Sequence, residues 1–401
     1  MRDTPKIREL DALRGIAIAL VYCFHAYGDI GRCGYRWDAP PPGFQLVAEG
    51  HTGVSLFFVL SAFLLSRPLF TGPARVARMD WREFYRRRVR RIMPLYTVAV
   101  LATTAFCAQR PADLLRALPH LTFLASWGPW NLLMVPYPPE IVSIASPWWS
   151  LRAEVQFYLL LPLVALALRS LAGTVVLIAA ATAVYGVFVA SLFRPVDFSI
   201  IWSATGSVIG RGPVFAAGIV VAWLVQRHGA AVRGALARLG GWGCSLLLVA
   251  ALAGLVRLLA WTETTTALAR DLPPLVAWHA LEGGLWAAVL LLVVAAPLRG
   301  KAVVVNRAWV WLGDRSYSIY LLHAPILYVG MHALRTHGPH GFGAVAAAIV
   351  ALTVVTLAAS SFTWAWIEQP FLTRRPRPAD APPTYAAAVS PAAPPSRRRS
   401  E

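Results

Sequence analysis

The sequence predicts an all-α fold: a polytopic membrane protein of about ten transmembrane helices, with its N- and C-termini cytoplasmic. Three observations carry that expectation. Of the 401 residues, 57% are hydrophobic and only 14% are charged, whereas soluble domains run at about 25% charged. The apolar residues gather in runs of about 17 to 25, the length at which a helix crosses a hydrocarbon core. The 37 Lys and Arg residues are also unevenly shared among the connecting segments, as the enrichment of cytoplasmic loops in positive charge requires.

Taken in order, the candidate spans lie near 10 to 27, 47 to 66, 92 to 109, 148 to 168, 171 to 193, 200 to 226, 242 to 260, 275 to 297, 310 to 334 and 342 to 366. The first run carries Asp11, Arg14 and His25 and is followed by no small-residue cleavage site, so it reads as a span and not as a signal peptide. The third is preceded by a basic segment, 67 to 91, that includes Arg82, Arg86, Arg87, Arg88, Arg90 and Arg91. Trp148 and Trp149 suit an interfacial aromatic belt at the outer start of the fourth. With the N-terminus inside, 25 basic residues fall in inner segments, 7 in outer segments and 5 within spans. The formal net charge of +18 is therefore mainly a topological signal, and nucleic acid is not an expected partner. Residues 1 to 371 form one membrane domain; residues 372 to 401, rich in Pro, Ala, Arg and Ser, read as a disordered cytoplasmic tail. Four cysteines show no CxxC spacing, and His332, His337 and His340 near one outer loop have no Cys or carboxylate beside them, so no metal site is expected. Trp127, Trp130 and Tyr137 in the longest outer loop either stack on sugar faces or anchor the interface.

Ionisable residues inside a bilayer are costly and tend to face a cavity, a partner or a pathway. Arg14 and His25 are 11 residues apart, about 20° short of three helical turns, so they share one stripe and lie roughly 16 Å apart along the axis. Asp11 is i,i+3 to Arg14 and falls near the same stripe. The alternative is that Arg14 snorkels to the inner headgroups and His25 is interfacial. Glu154 lies about 9 Å inward from the Trp148 to Trp149 belt, a depth similar to His25, which makes the two a candidate general-base pair; alternatively Glu154 packs with Arg152. His323, with Ser316 and Tyr320 on neighbouring angles, either lines a substrate tunnel or bonds to a neighbouring helix. Ser61 is a candidate nucleophile or a serine bonded within the bundle. Arg211 completes the set of polar candidates for a tunnel.

Six blocks then resemble one family. They are Leu10 to Gly15 with the Arg14-x10-His25 spacing, Gly53 to Phe63, the basic run Phe84 to Tyr96, Trp149 to Tyr158, Gly313 to His323, and Trp366 to Pro370. In this order they are similar to the membrane acyltransferase-3 family, bacterial multi-pass enzymes that O-acylate sugars, exported glycans and some antibiotics. Ser55 stands where the family commonly has an acidic residue, and Ala62 where it has Gly. The resemblance implies a bacterial cytoplasmic-membrane O-acyltransferase with no bound cofactor and an acyl-CoA, acetyl-CoA foremost, as co-substrate. It implies a carbohydrate, exported glycan or macrolide-like acceptor. His25, Glu154, Arg14 and Asp11 then form the catalytic set, and Arg87, Arg88, Arg90 and Arg91 bind the donor. Charge placement agrees with this donor side, because Arg pairs bidentately with phosphate and the cluster lies at the inner face. The competing class is a transporter or proton-coupled permease lined by Arg14, His25, Glu154, Arg211 and His323; no repeat between residues 1 to 170 and 200 to 370 supports it.

Overall fold

The computed structural model describes residues 7–35, 43–71, 79–108, 110–123, 146–191, 206–268, 274–339 and 341–373. The tail from 374 onward and the aromatic residues Trp127, Trp130 and Tyr137 lie outside the described residues. All regular structure among the described residues is helical. The main helices are α1 (Arg8–Arg32), α2 (Thr52–Ser66), α3 (Trp81–Cys107), α4 (Trp149–Ala167), α5 (Leu171–Ser191), α6 (Gly212–Leu268), α7 (Pro274–Ala295), α8 (Arg307–Asp314), α9 (Ser316–His337) and α10 (Phe342–Thr363). Beyond α10 the chain makes a π-helical turn, Trp364–Glu368, and a short helix, Gln369–Thr373.

Among the described residues, seven stretches are long and apolar enough to cross a membrane: Arg8–Arg32, Thr52–Phe70, Trp149–Ala167, Leu171–Phe188, Gly212–Trp261, Trp278–Ala295 and Phe342–Leu372. The protein is thus an all-helical polytopic membrane protein. Gly212–Trp261 is too long for one straight crossing, and it is not one rod. His228 leaves helical geometry, and Gly240 adopts φ +69°, a conformation that costs a residue with a Cβ far more than glycine. Two expected spans differ from the seven in composition. The helix expected near 92 begins eleven residues earlier, at Trp81, because Asp80 caps it by accepting a hydrogen bond from the Glu83 amide. The basic run expected in a loop is therefore helical and forms the first turns of α3. The span expected at 310 to 334 is two helices, α8 and α9, that meet at Arg315.

α1 sits at the centre, packed against α2, α8 and α9, while α6 packs against α7 and α2. Small residues allow the closest approach. A Cβ added at Gly15 of α1 would stand 2.0 Å from the Trp309 carbonyl oxygen, and one at Gly313 of α8 would stand 1.8 Å from that of Asp11. The two backbones touch at that crossing, the arrangement small residues permit between membrane helices. An aromatic stack of Phe58, Phe215 and Phe157, with centroids 4.6 and 4.5 Å apart, fills the space between α2, α6 and α4. Around this core, α5 and α10 are apolar on every side and leave Leu171, Val176, Val350 and Val354 exposed; a helix of that kind faces lipid.

Candidate active site

The site forms where α1, α2, α3, α4 and α9 converge. Helical periodicity puts Ser150, Glu154 and Tyr158 of α4 four residues apart on one face, and Ser316 and Tyr320 of α9 likewise. These residues, together with Ser61, Tyr317, Arg14, Arg88 and Arg91, form the polar wall of one cavity. Phe57, Phe58, Leu64 and Leu65 close its apolar side. Among the described residues, Glu154 is the single carboxylate on that wall, against three guanidinium groups.

Glu154 Oε1 accepts from Ser61 Oγ at 2.5 Å and from the Tyr158 hydroxyl at 2.5 Å. Arg14 Nη1 donates to Asp11 Oδ1 at 3.2 Å, so the expected i,i+3 charge pair of α1 is formed. The Arg88 guanidinium carbon lies 5.8 Å from the centre of the Phe84 ring and 5.9 Å from that of Tyr158, and its Nε is buried without an acceptor. At the far end of the cavity the Tyr320 hydroxyl and Ser150 Oγ bond at 2.7 Å.

His25 and His323 lie off the cavity wall and meet each other. His323 Nε2 is 3.4 Å from His25 Nδ1, with the rings edge to face at 4.9 Å. Each imidazole is also tied to its own helix: His25 Nδ1 to the Val21 carbonyl at 2.8 Å and His323 Nδ1 to that of Ile319 at 3.0 Å. Tyr320, one turn before His323, lines the cavity and has its ring 5.9 Å from that of His323.

Several sequence-based expectations change here. The hydrogen-bonding partner of His25 is His323 and not Glu154, because the α4 carboxylate is occupied by Ser61 and Tyr158. Of the four arginines expected at the donor site, Arg88 and Arg91 reach the cavity; Arg87 Nε stands 3.3 Å from Glu83 on the exposed side, and Arg90 is not on the wall. Residues 88 and 91, three apart, share a helix face that 87 and 90 flank. Among the tunnel candidates, Ser61, Ser316 and Tyr320 line the cavity. Arg211 does not; it belongs to a second buried cluster, where its Nη1 meets His279 Nδ1 at 2.9 Å and lies 3.9 Å from Glu282 Oε2. Thr52 Oγ1 donates to Glu282 Oε1 at 2.6 Å, and Trp286 Nε1 donates to Thr52.

Sequence reasoning missed His279 and Glu282, although two ionisable residues inside an apolar span are a signal by themselves. It also gave no role to Ser150 and Tyr158, or to Glu368, which is buried and accepts from Ser318 across the bundle. Asp29, buried one turn beyond His25 and paired with Arg32 at 2.6 Å, was passed over too.

A family model described as an acyltransferase domain matches residues 7–365. The chain belongs to the acyltransferase-3 family. Relatives within reach of direct alignment include YrhL of Bacillus subtilis, 26% identical over 38% of this chain and 23% of that protein. O-acetyltransferase OatA of Staphylococcus aureus is 27% identical over 39% of this chain and 24% of its own. Peptidoglycan O-acetyltransferase OatA of Listeria monocytogenes is 24% identical over 39% of this chain and 24% of its own. The chain thus aligns with about a quarter of the length of these relatives. No solved structure matches it. The acyltransferase-3 match takes in all the residues of the cavity and of the histidine pair, so the family assignment and the site coincide on the chain.

Proposed function

We propose that the protein is an integral membrane O-acyltransferase that moves an acyl group, acetyl on the pattern of its relatives' names, from a cytoplasmic acyl-CoA to a hydroxyl of an exported glycan. The bundle crosses a bacterial cytoplasmic membrane about ten times with both ends inside, as the distribution of basic residues indicates. The observation that carries this reading is the cavity wall: with Arg14 paired to Asp11, Arg88 and Arg91 face the one carboxylate, Glu154, among the described residues of the lining, which leaves positive charge for a polyanionic donor. Guanidinium groups bind phosphate through paired, charge-assisted hydrogen bonds. The relatives named as O-acetyltransferases, two of them for peptidoglycan, support a hydroxyl of a glycan as acceptor.

In this reading His25 is the base. Both hydrogen bonds of its ring fall on Nδ1, so Nε2 keeps its lone pair. Nε2 takes the proton of the acceptor hydroxyl as that oxygen attacks the thioester carbonyl carbon. The carbon–sulfur bond then breaks, and the departing CoA sulfur receives the proton from His25, giving the ester and free CoA–SH. The thioester reaches His25 from the cavity past Tyr320, which lines it beside His323.

The test uses full-length protein in lipid nanodiscs with labelled acetyl-CoA and glycan fragments. His25→Ala is expected to lose about 100-fold or more in transfer rate, the scale of a general base; a wild-type rate rejects the assignment. Arg88→Ala and Arg91→Ala should each raise the donor KM about tenfold or more, in line with 1.5–3 kcal/mol for a hydrogen bond to a charged group. A donor lacking the 3′-phosphate should be penalised less by one of them. Unchanged donor KM in both variants removes the cavity from the donor site.

A further inference from the structure

The mechanism above employs His25 and leaves its neighbour without a task. His323 is 0% exposed, enclosed by Tyr22 and Tyr320 with ring centroids 6.4 and 5.9 Å away. An imidazole held so deep usually has a reason, and the hydrogen bonds supply one. A backbone carbonyl can only accept, so the bond from His25 to Val21 and the bond from His323 to Ile319 each place a proton on Nδ1. In the neutral pair, His323 Nε2 therefore presents a lone pair, and it does so 3.4 Å from His25 Nδ1.

We infer that His323 is a positioning residue for His25: it accepts a share of the Nδ1 proton that the Val21 carbonyl fixes there, orients the ring with Nε2 free, and stabilises the imidazolium that forms when Nε2 takes up a proton. This is the service a carboxylate performs for the histidine of a hydrolase triad, delivered here by a second imidazole. The inference rests on the reading of His25 as base. It also accounts for the division of labour in the site, since Glu154, the carboxylate at comparable depth, is committed to Ser61 and Tyr158. A neutral acceptor suits this place. A carboxylate in its stead would add a buried charge beside Asp29, which already lies one turn further along α1 with Arg32 and Arg335 about it.

The experiment compares wild type, His323→Leu, His323→Gln and His25→Ala in nanodiscs, with steady-state kinetics and ¹⁵N-histidine NMR. The glutamine carboxamide oxygen can occupy the place of Nε2 and accept the same proton. His323→Leu should lower kcat by about 10- to 100-fold, within the scale of general-base catalysis, and leave the acyl-CoA KM unchanged; His323→Gln should recover most of the loss. In wild type the His25 resonances should report a protonated Nδ1 and a bare Nε2, and in His323→Leu the same tautomer with a shifted Nδ1 resonance and an imidazolium that forms only at lower pH. A wild-type spectrum with the opposite tautomer overturns the inference even if the leucine variant fails to fold. So does a folded His323→Leu with kcat within about twofold of wild type while His25→Ala is inactive. Full activity of His25→Ala would instead remove the base reading itself.

Discussion

Glu154 shows how much a single side chain's meaning depends on its partners. Its Oε1 satisfies two hydroxyl donors, and its charge is the counterweight on a wall of three guanidinium groups. Glu154→Gln preserves an acceptor oxygen and removes the charge, so Arg88 and Arg91 lose the counter-charge on their wall while Arg14 keeps Asp11. The variant should unfold at lower temperature, by about 1–3 kcal/mol for partly buried polar groups that lose their partner, and saturating acyl-CoA should restore most of the loss by supplying phosphate charge. Calorimetry with and without donor decides it; an equal deficit in both conditions speaks against phosphate binding at this wall. The placement of Arg14 and His25 on one stripe was legible, because two residues of one helix obey its 3.6-residue period whatever surrounds them. The Ser61 to Glu154 bond was not legible, because it depends on how α2 crosses α4. Nor was the His25 to His323 bond, which joins positions 298 apart in the chain.

Helices impose their own constraints. The crossing of α1 and α8 brings backbone against backbone at Gly15 and Gly313, so Gly313→Ala has no side chain to displace and must push the helices apart. A loss of about 1–3 kcal/mol, the usual scale of overpacking, should appear in thermal unfolding; an unchanged midpoint would mean that the crossing is looser than described. The Arg211, His279 and Glu282 cluster ties α6, α7 and α2 together away from the cavity. Glu282→Leu alone leaves Arg211 buried with His279 but without a counter-charge and should cost about 3–5 kcal/mol, whereas Glu282→Leu with Arg211→Met should cost less than either single change. Donor KM in the double variant should match wild type, and a large rise would return Arg211 to the substrate path. At this scale some signals in the chain were present and unused. Asp80 and Glu83 form a helix-start signature at the head of α3, but the apolar window that marks a span opens only near Ile92, so hydropathy alone does not reveal the cap and the basic turns behind it. His279 and Glu282 stand three apart in α7 and were hidden by the strength of the apolar run around them.

For the molecule as a whole, hydropathy and charge distribution made the all-helical membrane class readable at once, since lipid leaves helices few alternatives. The cavity was not readable, because five helices contribute to it and none announces it alone. The direction of insertion has a direct check. In a background without native cysteines, Phe342→Cys at the head of α10 should react in intact cells with an impermeant maleimide, and Arg307→Cys at the head of α8 only after permeabilisation; the reverse pattern inverts the topology. A further consequence follows from α1 itself. Arg14 and His25 ride on one helix, pinned by Gly15 and roughly 16 Å apart along its axis, so α1 acts as a ruler between the grip on the donor's phosphates and the place of reaction. Only a donor whose anionic head and acyl carbon are separated by a long arm spans it. Acetyl phosphate, with charge and acyl group on adjacent atoms, should therefore fail as a donor at any concentration, and lengthening or shortening α1 by one turn between those residues should abolish transfer from acetyl-CoA while leaving its binding intact.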